Sequence, residues 1–313
     1  MRTISSDMNM SSLRAIMDER PSGIPSSSIF VVIDGAAPSV SIKTLYEHGA
    51  SLYPLIPTDY AVGEERFLLP YICEFDEQGI IFNFCKKQIG KGSFILVDSK
   101  SDLMETLSHL GKNIFVNTYK QEDKILFRYF DPHVFEAFSL CATPEQKDIL
   151  FGSKIYCFWV EFLCDLLDQR NINNHGIENI NIFQKITNRE GQYQDSGDLF
   201  FTHEQVGEFK RQRTLYLSDR LELYVLSKYQ YDENQLNATA PHIRQAVKIM
   251  KSYGIGSVAC MEKYVSCCIE YGWDFLRERP DIMRTVSAPG LPDNYKERLL
   301  NDLLIREEPV HAI

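Results

Sequence analysis

The stretch SIFVVIDGA, residues 28–36, decides which fold the sequence can adopt. Its five consecutive apolar residues, 29–33, are followed by Asp34 and Gly35. An unbroken apolar run that ends at an acid and a glycine is typical of a β-strand that is buried on both faces and stops at a turn. We therefore expect this segment to lie inside a sheet that is covered on both sides.

Similar segments recur through the first half of the chain, and helical patterns separate several of them. The further strand candidates, rich in β-branched and aromatic residues, span residues 66–75, 92–99, 113–119, 124–130 and 154–160. Helical patterns cover residues 40–49 and 101–112. Strands that alternate with helices, together with adjacent strands near 113–130, predict an α/β lobe with a mixed sheet and flanking helices.

Four consecutive regions are predicted. Residues 1–27 are polar and Ser-rich, which favours a flexible N-terminal arm. Residues 28–165 form the α/β lobe. Residues 166–200 are rich in Asn, Asp, Gly and Gln, which favour turns, so we expect a linker there. In residues 201–313 the apolar period becomes helical, which predicts an all-α C-terminal lobe.

Start and stop signals divide the C-terminal lobe into helices. Thr202 and Gln205 form a capping-box signature, which predicts a helix that continues to about residue 229. A second helix is expected from near Pro241 to Gly254. A third is expected over residues 257–279, where apolar residues alternate at spacings of three and four.

Composition and charge exclude several classes of protein. The 313 residues include 33 Lys and Arg against 43 Asp and Glu, a net charge of -10, and no basic stripe that would bind nucleic acid. No apolar run approaches the roughly 20 residues of a membrane span, and the N-terminus lacks the apolar core of a signal peptide. We expect a cytoplasmic protein that does not insert into membranes, with its eight cysteines as free thiols.

Motifs for catalysis and for cofactor binding are missing from the sequence. The hydrolase motif G-x-S-x-G is absent, the phosphate-binding motif fails at residues 85–92, and HEQVG at 203–207 lacks the second histidine of a zinc-binding helix. We therefore predict no catalytic residues, no metal and no cofactor. The alternative is a hydrolase or transferase whose site is assembled only in three dimensions, and a purely structural subunit is a third possibility.

Arginine and aspartate interrupt the apolar stretch ILFRYFDPHVFEAF, residues 125–138. Asp131 and Pro132 carry the signature of a helix start, an N-cap acid followed by proline at the first helical position. Arg128 lies among aromatic residues, where an unpaired guanidinium would be costly, so we expect Asp131 or Asp34 to pair with it. Since arginine cannot act as a base and no nucleophile accompanies it, the pair is interpreted as a structural lock.

The same stretch resembles the effector chaperones of type VI secretion systems, also called adaptor proteins. LFRYFDPHVFEAF is followed by TPEQKDILFG and by an aromatic strand, and other similar phrases occur in order: VVIDGAA at 31–37, LYEHG at 45–49, FLLPYI at 67–72 and SFILVDSKSDLMETLSHLGK at 93–112. The resemblance covers about residues 28–160. Its family motif falls on Asp34, Arg128, Asp131 and Pro132, which we interpret as residues that hold the shape of the lobe.

The resemblance implies a non-enzymatic cytoplasmic protein that binds a toxic effector and helps to load it onto the VgrG spike. Its partners would be the cognate effector and VgrG. Aromatic side chains are the usual anchors of such contacts. The candidate effector-binding residues are Phe158, Trp159, Phe162, Tyr216, Tyr224, Tyr264 and Trp273.

Overall fold

The computed structural model divides the described residues into two compact units, one up to residue 210 and one from residue 211 onward. We call them the α/β unit and the helical unit. The structure describes residues 13–14, 16–17, 28–37, 39–61, 63–76, 78–89, 91–119, 124–161, 177–180, 183–187 and 197–306.

The α/β unit contains ten strands and five complete helices among its described residues. The strands are β1 (Ser28–Asp34), β2 (Tyr53–Pro54), β3 (Pro70–Glu74), β4 (Phe94–Ser99), β5 (Phe115–Thr118), β6 (Ile125–Leu126), β7 (Ile155–Glu161), β8 (Ile177–Ile180), β9 (Phe183–Thr187) and β10 (Phe200–Phe201). The helices are α1 (Ile42–Glu47), α2 (Ile80–Gln88), α3 (Leu103–Lys112), α4 (Pro132–Cys141) and α5 (Pro144–Phe151), with short 3-10 turns at Thr58–Tyr60 and Gly63–Leu68.

Two sheets organise these strands. The larger has seven strands in the order β2-β3-β1-β4-β7-β9-β8, and all of its neighbouring strands are antiparallel. The smaller has the order β10-β5-β6, with β10 parallel and β6 antiparallel to β5. The α/β fold of the N-terminal lobe is confirmed, and its mixed pairing is found in the smaller sheet.

The large sheet is covered on both faces, as the run in β1 predicts. Because successive side chains of a strand point to opposite faces, Phe30 and Val32 belong to one apolar core, which also includes residues of α3, α4 and α5. Ile29, Val31 and Ile33 belong to the core on the other face, which includes residues of α1 and α2. Every residue of β1 after Ser28 is buried.

Six helices follow. They are α6 (His203–Tyr229), which begins in the α/β unit, α7 (Glu233–Ser252), α8 (Val258–Tyr271), α9 (Phe275–Glu278), α10 (Pro280–Val286) and α11 (Asp293–Arg306). The helical unit has its own apolar core, to which α6, α7, α8 and α11 all contribute. The all-α C-terminal lobe is therefore confirmed. None of the described helices has both the length and the apolar character required to span a membrane.

The region expected to be a linker, residues 166–200, contributes strands to the sheet. Strands β8 and β9 extend the large sheet beyond β7, and Phe183 and Ile186 are buried in its two cores. Burial of these apolar residues outweighs the turn-forming composition around them. The structure therefore differs from the linker prediction at residues 177–180 and 183–187.

Two helix boundaries in the helical unit also differ from the sequence prediction. Helix α7 begins well before Pro241, because Asp232 and Gln235 form a capping box and the proline lies inside the helix. The single helix expected over residues 257–279 is interrupted after α8 by Gly272, whose φ of 96° lies in the left-handed region that favours glycine.

Replacing Phe158 by alanine should destabilise the α/β unit strongly. The Phe158 ring is fully buried, and its centroid lies 4.7 Å from that of Phe135 and 4.9 Å from that of Phe151. Loss of such a ring costs about 3–5 kcal/mol of unfolding free energy. Urea denaturation measures this, with the exposed Leu140→Ala as a control that should change stability by less than about 0.5 kcal/mol. Equal stability of Phe158→Ala and the parent would contradict the core assignment.

Candidate functional site

Asp34 occupies the C-terminal end of β1, with its carboxyl group inside the protein. Its backbone N–H donates to the carbonyl of Ser93 at 2.9 Å, and its side-chain Oδ1 accepts from the N–H of Ala36 at 3.1 Å. The residue is only 3% exposed. The end of the strand thus places a carboxylate where water cannot solvate it.

Gly35 permits the turn that follows Asp34. A Cβ atom at this position would overlap the carbonyl oxygens of Phe67 and Leu69, which belong to the backbone and cannot rotate away. The close approach of these two segments therefore requires a glycine.

Arg128 reaches this carboxylate from the segment that leads into α4. Its Nη2 donates to Asp34 Oδ2 in a short ion pair and lies 4.0 Å from Asp131 Oδ2. The Arg128 side chain is 35% exposed, and its guanidinium carbon lies 5.9 Å from the centroid of the Phe130 ring. One guanidinium therefore joins the end of a central strand to the start of a helix.

Asp131 and Pro132 start helix α4 as predicted. The Asp131 side chain accepts from the N–H of His133 at 3.0 Å, and Pro132 is at the first helical position. The Asp131 N–H donates to the carbonyl of Arg128 at 2.9 Å, which closes the turn between the two charged residues. We call Asp34, Gly35, Arg128, Asp131 and Pro132 the charged corner.

Burial dominates the electrostatics of the charged corner. It raises the pKa of Asp34 above the ordinary value of 3.8; Arg128 opposes this rise, and the negative charge of Asp131 adds to it. Because the folded-state pKa exceeds the unfolded one, the native state binds more protons between these two values. The Asp34 ionisation therefore lowers stability as pH rises through that range.

The charged groups of the charged corner are bound to one another, which suits a role in fastening chain segments. An arginine remains protonated and cannot accept a proton. The two carboxylates are committed to Arg128 and to backbone N–H groups, and neither Ser, Thr, Cys nor His is among the five residues. The expected pairing of Arg128 with an acid is thus present, and it involves both candidate acids.

Three of the aromatic candidates for effector binding are core residues. Phe158 and Trp159 alternate into the two cores of the large sheet, and Tyr264 is buried in the core of the helical unit. Side chains that are at most 2% exposed cannot contact a partner without local opening, so these three are corrected to core residues. Helical or strand spacing alone does not distinguish an aromatic core residue from an aromatic anchor.

The remaining aromatic candidates differ in their accessibility. Tyr216, Tyr224 and Trp273 are partly exposed and pack against the core of the helical unit. Trp273 stacks on His242, with ring centroids 5.1 Å apart and an angle of 20° between the planes. Phe162 lies outside the described residues. A partner protein could therefore reach Tyr216, Tyr224 and Trp273 at the surface.

An exposed apolar surface on the small sheet was not identified from the sequence. Phe115 pairs directly with Leu126 and Phe200 pairs with Asn117, so the three apolar side chains share one face. They are 36%, 47% and 44% exposed, whereas on the other face Val116, Thr118 and Phe201 are buried and Ile125 is 37% exposed. We call Phe115, Leu126 and Phe200 the small-sheet face. Burial alternates along residues 115–118, but their sequence, FVNT, does not alternate between apolar and polar residues, so it carries no signal for this face.

A serine next to a lysine occurs in the helical unit. Ser266 Oγ lies 2.9 Å from Lys228 Nζ and 2.9 Å from the Tyr224 hydroxyl, and it donates to the carbonyl of Glu262. Ser266 is fully buried in the middle of α8. Burial lowers the pKa of Lys228, but interactions with Tyr224 and Tyr229 outweigh it and raise the pKa above the ordinary value. A lysine that stays protonated at neutral pH cannot activate the serine.

The remaining cavities, cysteines and possible metal ligands were compared with the requirements of a catalytic or metal site. A cavity of about 490 Å³ in the helical unit is lined by Ser252, Ser287 and Lys296 but by no histidine. Among the residues that the structure describes, no group of three or more His, Cys, Asp and Glu side chains could hold a metal ion. The seven described cysteines are free thiols, six of them buried.

Comparisons of the chain with protein-family models, with curated proteins and with solved structures found no match. Functional inference therefore depends on the residues and their geometry.

Replacing Arg128 by alanine should raise the pKa of Asp34 further, because the positive charge that opposes the burial effect is removed. Stability should then fall more steeply as pH rises above about 4. An NMR titration of the Asp34 carboxyl carbon measures the first effect, and urea denaturation across pH the second. Arg277→Ala, which removes an exposed partner of Asp274, is the control and should leave both unchanged. An unaltered Asp34 titration in Arg128→Ala would contradict the assignment.

Alanine at Gly35 should destabilise the fold, whereas alanine at Gly207 should stabilise it. A Cβ at position 35 overlaps two backbone carbonyls, which costs about 1–3 kcal/mol. Position 207 lies within helix α6 with open space around its Cβ, so Gly207→Ala should gain about 0.5–1 kcal/mol from helix propensity. Thermal unfolding compares the two variants, and shifts of the same sign would refute the steric argument.

Proposed function

We propose that this protein is a non-enzymatic cytoplasmic adaptor that binds a type VI secretion effector and helps to load it onto the VgrG spike. The support is the resemblance of residues 28–160 to that chaperone family, above all the F-R-x-x-D-P motif at residues 127–132. In this proposal the motif maintains the shape of the α/β unit, and other surfaces contact the partners.

The arrangement of the charged corner is the observation that carries the proposal. Arg128 lies between Asp34 and Asp131, Asp131 caps α4, and no nucleophile is part of the cluster. Motif residues that fasten a strand to a helix are consistent with a scaffold. The alternative, a hydrolase or transferase, would be favoured by a deep polar pocket that holds a nucleophile beside a histidine.

The small-sheet face supports a binding role. Contiguous exposed apolar side chains on a folded protein commonly mark surfaces for other proteins. Phe115 and Leu126 are direct cross-strand neighbours, Phe200 lies opposite Asn117 on the same face, and each of the three apolar residues keeps more than a third of its surface in water. We propose an apolar segment of the effector as the occupant of this face, because burial of such side chains favours association.

Co-expression of the tagged protein with the genes on either side of its own, followed by pull-down, tests the proposal. The parent should retain an effector and a VgrG spike protein. Leu126→Ser should reduce effector retention by about tenfold, because it removes exposed apolar area without disturbing a core. Met104→Ser is the matched control, since Met104 is also apolar, is 59% exposed against 47% for Leu126, and lies on α3; this variant should retain the effector.

Two outcomes would contradict different parts of the proposal. If the parent retains neither effector nor spike, the adaptor function is wrong. If the parent retains the effector and Leu126→Ser does so equally well, the adaptor function stands and the small-sheet face is not its binding surface.

A further inference from the structure

Two helix-capping boxes in the α/β unit meet through their glutamines. At the start of α5, Thr143 Oγ1 accepts from the N–H of Gln146, and Gln146 Oε1 accepts from the N–H of Thr143 at 2.8 Å. At the start of α6, Thr202 and Gln205 repeat this arrangement, with 3.2 Å and 3.1 Å. Each box by itself is an ordinary helix start.

The two side-chain amides also bind each other. Gln146 Nε2 donates to Gln205 Oε1 at 3.0 Å, and Gln205 Nε2 donates to Gln146 Oε1 at 2.7 Å. The second N–H of each amide donates to a backbone carbonyl, that of Phe200 for Gln146 and that of Cys141 for Gln205. All four hydrogen-bonding positions of each amide are therefore used.

Because the two glutamine amides are buried, the loss of either one should be costly. Gln146 is 9% and Gln205 is 8% exposed, so water does not readily replace a missing partner. A buried polar network stabilises when it is complete and is costly when one member is lost. Removing either amide leaves the other with an unused donor and acceptor, and it leaves a capping N–H and a backbone carbonyl without partners.

Strand β10 depends on the same pair. Its two residues pair with Asn117 and Thr118 of β5, and the N–H groups of Asn117 and Tyr119 donate to the carbonyls of Leu199 and Phe201. Phe201 is fully buried, with its ring centroid 5.0 Å from those of Phe127 and Phe209. The Phe200 carbonyl between these contacts is held by Gln146.

We propose that Gln146 and Gln205 form a latch that makes the start of α5, strand β10 and the start of α6 open and close as one unit. When the latch opens, β5 loses β10 as its neighbour, and the buried ring of Phe201 loses its contacts with Phe127 and Phe209.

Native-state hydrogen exchange of the full chain tests this inference through four backbone amides. Lys147 reports the start of α5, Val206 the start of α6, and Asn117 and Tyr119 report β10. In Gln146→Ala, all four should exchange faster by a common factor of about ten or more, and Gln205→Ala should accelerate the same four.

The matched control is Gln235→Ala at the start of α7. Gln235 completes a capping box with Asp232 in the same way but has no second glutamine, so its loss should leave the four reporter amides unchanged. The latch is wrong if Gln146→Ala accelerates only Lys147 and Gln205→Ala only Val206. If either alanine variant fails to fold, Thr143→Ala is the deciding variant, because it keeps both side-chain amides. Faster hydrogen exchange at Val206 and Tyr119 in this variant supports the latch. Faster exchange at Lys147 alone overturns it.

Discussion

The buried carboxylate of Asp34 is the constraint on which the α/β unit depends. It lies at the end of β1, the strand between β3 and β4 in the large sheet, where solvent cannot stabilise its charge. A buried charge destabilises a protein unless an opposite charge and hydrogen bonds accompany it. Arg128 and the N–H of Ala36 provide both, and because Arg128 precedes α4, the same contact joins the sheet to a helix.

The two members of this ion pair are not equivalent. Arg128 remains about one third exposed, so water can solvate its guanidinium if Asp34 is lost, whereas Asp34 has no such access if Arg128 is lost. The charged corner thus serves mainly to stabilise the buried Asp34 carboxylate, and its residues hold neighbouring chain segments together. In the adaptor proposal, that rigidity presents the small-sheet face, where apolar side chains rather than charges provide the contact.

Signals from residues that are close in the chain predicted the strands and helix starts that local interactions determine. The apolar run of β1, the cap at Asp131 and the box at Thr202 all rest on residues that are close in the chain. Strands β8 and β9 could not be predicted in this way, because their polar composition is outweighed by packing against a distant strand. Both capping boxes can be recognised in the sequence, but the hydrogen bonds between their glutamines form only when distant segments pack together. The burial of Phe158 and Tyr264 depends on tertiary packing in the same way.

Urea unfolding of Arg128→Ala beside the double variant Arg128→Ala/Asp34→Asn tests the central claim most directly. If Arg128 serves chiefly to neutralise a buried carboxylate, the single variant should lose about 1–3 kcal/mol of unfolding free energy. The double variant should recover most of that loss, because the charge that needed a partner is gone. A single variant as stable as the parent, or a double variant no more stable than the single one, would contradict the account.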